Sequence, residues 1–164
     1  MARAGDPYDQ PLRVRHVNLK PDPLNPQVKR NITCFEYDRF VVKQIDFGEV
    51  GAESLSIIPV GKEGTPPCRQ ARERRESVIS SDTWSGYFQG AKSDCCIFTA
   101  ADGINGGLGF MVFSASGKKK LFEDVAEKGI ESINTDQGSL KLRYQRVFAS
   151  KCSVVTQGAA CKGT

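Results

Sequence analysis

The chain holds one histidine, His16, together with one tryptophan and two methionines. A Ser-His-Asp or Cys-His nucleophilic site therefore has a single possible base. That residue stands beside Arg15 in a proline-rich stretch, a setting that suits a surface or edge-strand histidine. No Cys-x-x-Cys occurs, so the six cysteines do not spell a zinc site. Continuous apolar stretches are only a handful of residues long, whereas a membrane-spanning helix needs about 20. No membrane span is expected, and no repeat of fixed period is found.

Net charge is also small. The 23 basic and 19 acidic side chains leave +4. Much of the excess falls early, where Arg3, Arg13, Arg15, Lys20, Lys29 and Arg30 face Asp6, Asp9 and Asp22. The one dense basic run (Arg69, Arg72, Arg74, Arg75) is broken by Glu73 and Glu76 and lacks interleaved aromatics. It reads as a solvated face, and no nucleic-acid partner is expected.

What is present is cysteine in exposed contexts. Cys68 follows Thr65-Pro66-Pro67, and Cys161 lies within Gly158-Ala159-Ala160-Cys161-Lys162-Gly163. A thiol gains little from burial in such loops, while a crosslink adds stability. The preferred pairing is Cys34–Cys68 and Cys152–Cys161, one of the 15 connectivities open to six cysteines. Closing the short terminal loop would contribute roughly 2–3 kcal/mol. Disulfides persist mainly outside the reducing cytosol, so a secreted or periplasmic location is expected. Ala2-Arg3-Ala4 has the small-x-small form of a signal-peptide end. Six buried free thiols in a cytosolic protein is the competing reading.

Residues 1–30 carry five of the eight prolines and little periodicity. They are expected to form an arm, with Leu12, Val14 and His16 able to pin a short edge strand. From residue 31 short apolar runs alternate with turn residues, the spacing of an all-β domain over 31–164. The fold expected is a single sandwich or partly open barrel of seven to nine strands. One short helix is predicted over 66–79, where proline opens a run of straight-chain residues. Residues 108–113 read as a strand buried on both faces. Residues 140–148 read as half-buried, with Leu140, Leu142 and Tyr144 on one face.

Several constellations are candidates for chemistry. Trp84, Tyr87 and Phe88, with uncrowding glycines, offer a flat platform for a sugar or peptide, with Asn105 from the adjacent glycine-rich loop. Asp94, Asp102 and Asn105 have a faint calcium-site character, since hard oxygens in a glycine-rich turn suit Ca²⁺. The alternation fails at Ala100 and Ile104, and a plain strand connection competes. Cys95 and Cys96 are vicinal in a strand, so their side chains should point to opposite faces. Carboxylates are plentiful, but no spacing selects an acid–base pair.

Residues 110–124, from Phe110-Met111-Val112-Phe113 through Ser116-Gly117-Lys118 to Leu121-Phe122-Glu123-Asp124, resemble a blade hairpin of quinoprotein-type β-propellers. One blade cannot close a propeller. More broadly, residues 31–161 are similar to exported proteobacterial proteins of unassigned function. The shared features are Thr33-Cys34, Pro67-Cys68-Arg69, the 84–88 segment, Asn105-Gly106-Gly107, the lysine-rich hairpin and Leu142-Arg143-Tyr144 before Cys152. That resemblance implies export and paired cysteines, and it brings no activity, cofactor or catalytic residue. The function expected is a non-catalytic binding or envelope-associated protein, or an effector, with a protein or glycan ligand. The alternative is a small secreted hydrolase using paired carboxylates.

Overall fold

The computed structural model describes residues 7–104, 106–136 and 139–148. Among these the chain is all-β: ten strands make two antiparallel five-stranded sheets, neither closed into a barrel. Sheet one runs in order β1 (Arg13–Asn18), β2 (Asn31–Glu36), β3 (Phe40–Asp46), β4 (Ser54–Pro59) and β5 (Ser77–Ile79). Sheet two has β6 (Gly86–Lys92) at one edge, then β7 (Cys95–Ile104), β8 (Gly107–Ser114), β9 (Lys119–Asp136) and β10 (Ser139–Arg146). Each strand pairs with its neighbour in sequence, the simplest meander short connections allow.

Alternation decides which side chains meet between the sheets. Phe40, Val42, Leu55 and Ile57 of sheet one share one buried cluster with Cys96, Phe98, Met111 and Phe113 of sheet two. Each such side chain contributes roughly 1.5–3 kcal/mol on burial. The next residues along, Val41, Ile45 and Lys43, point to the outer face of sheet one. That face holds a second apolar cluster with Ile32 and Cys34.

An outer face this apolar needs a cover, and residues 60–76 supply it. Cys68 on the cover is bonded to Cys34 on β2, as the sequence suggested, closing a separation of 34 residues. In the loop-entropy account a link of that length stabilises by about 4 kcal/mol. Arg15 on β1 pairs with Glu36 and donates to the Pro66 carbonyl at 2.9 Å. Lys43 is 1% exposed. Its ammonium donates to Glu76 Oε2 at 2.9 Å and to the carbonyls of Arg69 and Ala71 at 3.3 Å each.

The helix predicted over 66–79 does not form. Its carbonyls at 69 and 71 turn toward Lys43 instead of along a helix axis, Cys68 is tied down, and residues 77–79 pair with β4. A buried ammonium that must find acceptors outweighs helix propensities of a few tenths of a kcal/mol per residue. The other half of the expected pairing, Cys152–Cys161, lies outside the described residues.

Sheet two also has an apolar outer face, built by Ile97, Phe110, Val112 and Ala126. Here the cover is its own last hairpin. Opposite β10 the register of β9 jumps from Ile130 to Ala126 while β10 advances only from Tyr144 to Arg146. Residues 127–129 thus bulge against Gln145 alone, and Gly129 takes φ +86°. A bulge bends its strand, and Leu140, Leu142 and Tyr144 pack back onto the sheet. The half-buried alternation read for 140–148 is this contact.

Candidate functional site

The remaining part of that outer face is roofed by the N-terminal segment. Asp9 bridges Ala91 on the free edge of β6, its N–H donating to the Ala91 carbonyl at 2.8 Å. The Asp9 carboxylate takes the Lys92 ammonium at 2.7 Å and the Ser93 N–H at 2.6 Å. Burial alone would push Asp9 upward, but these partners hold it below the ordinary carboxylate value. Leu12 N–H then donates to Glu36 O, and the chain enters β1. The segment therefore ties the edge of sheet two to the edge of sheet one.

Tyr8 lies over Gly90, where an added Cβ would come within 2.4 Å of the ring. The absence of a side chain at 90 is what admits the tyrosine. Between Tyr8, the sheet and the bulge of β9 lies a half-open cavity of about 660 Å³. Its apolar surfaces come from Tyr8, Leu108, Phe110 and Ile130, and its polar groups are Gln89, Thr99, Glu127 and Lys128. Small-molecule sites are commonly apolar concavities of this size with a few polar groups.

A ring cluster separates this cavity from a second hollow of about 440 Å³ beneath β10. Phe110 meets Tyr144 edge-on at 4.9 Å and Phe122 at 5.9 Å. Tyr144 is locked by Asp124: its hydroxyl donates to Oδ2 at 2.6 Å, and Arg146 Nε donates to Oδ1 at 2.9 Å. Burial pushes Asp124 up, yet the Tyr144 hydroxyl, the Val125 N–H and Arg146 together hold it below its ordinary value. Tyr144 is pushed up to about 12, by burial and by the carboxylate it faces. These groups anchor the hairpin that closes one side of the cavity.

The residues singled out in the sequence fall elsewhere. Trp84, Tyr87 and Phe88 are half-buried against the inter-sheet core, with Phe88 stacked among Phe35 and Phe98 at 4.8 and 5.6 Å. The Tyr87 hydroxyl accepts the Gly51 N–H. All three are partly exposed and partly packed against that core. Asp94 caps the β8–β9 turn, accepting both the Ser116 N–H and hydroxyl and the Ser114 hydroxyl. Asp102 is exposed near the far end of β7. Asp94 precedes β7 and Asp102 lies near its other end, so the two carboxylates sit toward opposite ends of the strand. Asn105 lies outside the described residues. Cys96 is buried in the inter-sheet core and Cys95 is half-buried on the outer face, the opposite placement expected of strand neighbours. Burial, with Asp94 alongside, raises both thiols.

Sequence reasoning missed this cavity because its parts lie far apart in the chain. The one local signal was Gly129 inside a charged, strand-like run, which marks a bulge. No family model, no curated protein and no solved structure matches the chain.

Proposed function

We propose that this protein is a non-catalytic binding protein of an oxidising compartment, secreted or periplasmic, that holds a small amphipathic ligand or an apolar side chain of a partner. The cavity under Tyr8 carries the reading: its apolar surfaces take the body of the ligand, and Gln89, Thr99 and Lys128 in its lining supply polar groups. Among the described residues Glu127 is the one carboxylate lining it, so paired-carboxylate hydrolysis finds no second member among them. The Cys34–Cys68 bond supports the compartment, because such a bond persists where thiols are not kept reduced.

Binding is tested with the neutral fluorophore N-phenyl-1-naphthylamine. Its emission should rise on the folded protein, and Thr99→Trp, which fills the cavity, should weaken the effect about tenfold. No enhancement, or enhancement unchanged in folded Thr99→Trp, overturns the cavity as a ligand site. For the compartment, alkylation during lysis of the source cells should leave Cys34 and Cys68 unlabelled; labelling of both before any reductant is added refutes it.

A further inference from the structure

Another cavity, of about 610 Å³, opens on sheet one where the connection between β1 and β2 folds over the strand ends. The connection is shaped by proline and local turns. Leu24 N–H donates to Asp22 Oδ1, Val28 N–H donates to Asn25 O, and Pro21 and Pro26 face the cavity. Val28 sits on Gly48, where an added Cβ would come within 2.3 Å, and Gly48 itself has φ +82°. The wall is thus built rather than loose.

Its polar lining is one-sided in charge. Lys29, Arg30 and His16 line it with Asn18, Asn31 and Thr33, and among the described residues no carboxylate does. Two carboxylates stand near. Asp22 reaches only 3.7 Å from Arg30 Nη1 and already accepts the Leu24 N–H. Asp46, opposite Asn31, accepts the Gly48 N–H at 2.7 Å. Arg30 is stacked on Phe47, its guanidinium carbon 3.8 Å from the ring centroid. Its Nε is buried and meets no acceptor among the described residues. That buried Nε is closed to a molecule in the cavity, so an oxyanion would meet the guanidinium at its Nη groups, with Phe47 and Asp22 holding the side chain in place. The donors beside it are ordered as well. The Thr33 hydroxyl donates to Asn31 Oδ1 at 3.4 Å and lies 3.1 Å from His16 Nδ1. The Asn31 amide N–H groups are thereby directed away from Thr33.

We propose that this cavity binds a small organic anion, a phosphate or carboxylate head on a compact apolar body, with Arg30 as its principal donor and Lys29 beside it. The site is independent of the cavity under Tyr8.

The test is titration of the oxidised protein with phenyl phosphate, benzoate and phenol, followed by nitrogen-15 NMR of the Arg30 Nε–H and the Asn18 and Asn31 side-chain amides. At least one anion should bind with a dissociation constant of about 1 mM or tighter and shift these resonances, and phenol should not. The anion that binds more tightly distinguishes a phosphate head from a carboxylate. Arg30→Gln should weaken it at least about tenfold and Lys29→Gln about threefold, while Lys141→Gln on β10 leaves it unchanged. Should Arg30→Gln fail to fold, Arg30→Lys and the wild-type resonance map decide alone. Absence of saturable shifts up to about 10 mM of both anions overturns the proposal. So do equal shifts with phenol, or undiminished affinity in folded Arg30→Gln.

Discussion

Replacing Lys43 by methionine tests how the cover of sheet one is held. The side chain is 1% exposed, and its partner Glu76 is 3% exposed at the side chain. Methionine keeps the length of the stem but removes the ammonium, which leaves Glu76 charged and the carbonyls of Arg69 and Ala71 without their donor. Removing one member of a buried pair costs about 3–5 kcal/mol. Replacing both, Lys43→Met with Glu76→Leu, removes the stranded charge, so the double variant should lose less than the sum of the singles by about 2–3 kcal/mol. Urea unfolding of the oxidised protein at pH 7, followed by fluorescence of the sole tryptophan, Trp84, measures all four corners of the cycle. The pH dependence adds a sign. Burial raises Glu76, but the Ser56 hydroxyl, the Glu73 N–H and Lys43 outweigh it and bring the group below its ordinary 4.5. Its unfolded value is then the higher one. The contribution is fully present above about 4.5 and is lost as pH falls through the lower folded value. In Lys43→Met, burial without the cation acts the other way, so acidification from neutral should relieve the variant. A Lys43→Met protein within about 1 kcal/mol of wild type, or additive singles, would falsify the buried-pair account.

Three further outcomes are expected. Gly90→Ala places a methyl within 2.4 Å of the Tyr8 ring, so Tyr8 should leave its seat, with stability down by about 1–2 kcal/mol and faster proteolysis near residue 8; unchanged cleavage refutes the seat. Tyr144→Phe removes the hydroxyl held by Asp124 and should cost about 1 kcal/mol in urea unfolding. In ultraviolet titration Tyr144 of the wild type ionises near 12, and Asp124→Asn should lower that value; a value unmoved in Asp124→Asn contradicts the contact. In the folded protein an aromatic disulfide reagent should modify Cys95 slowly, and faster as pH rises, because its thiol is raised by burial and Asp94. Cys96 should react only after unfolding, and its modification at native rates would contradict its place in the core.

The parts of this molecule legible in its sequence are those where one strand states its own environment. The apolar run through Phe110 and Val112 is buried on both faces because inner residues meet sheet one and outer residues meet the folded-back hairpin. Leu140, Leu142 and Tyr144 announce that hairpin by alternation alone. Cys68 among prolines foretold a crosslink for the same local reason: its immediate neighbours in sequence are loop residues that offer a thiol little burial. What was not legible shares a different cause. In the 66–79 segment propensity spoke for a helix, yet the decisive partner was Lys43, a charged residue in an apolar strand. Its burial could have been suspected only from Val41, Val42 and Ile45 around it. Trp84, Tyr87 and Phe88 were legible as a cluster, but their packing on the core was not, because β6 lies at the edge of its sheet and still packs across β3, where the Phe88 N–H reaches Gln44 Oε1 at 2.9 Å. Both cavities are made where distant segments pass over a sheet, Tyr8 above Gly90 and Val28 above Gly48. At Gly90 and Gly48 an added Cβ would meet the side chain that arrives from the distant segment.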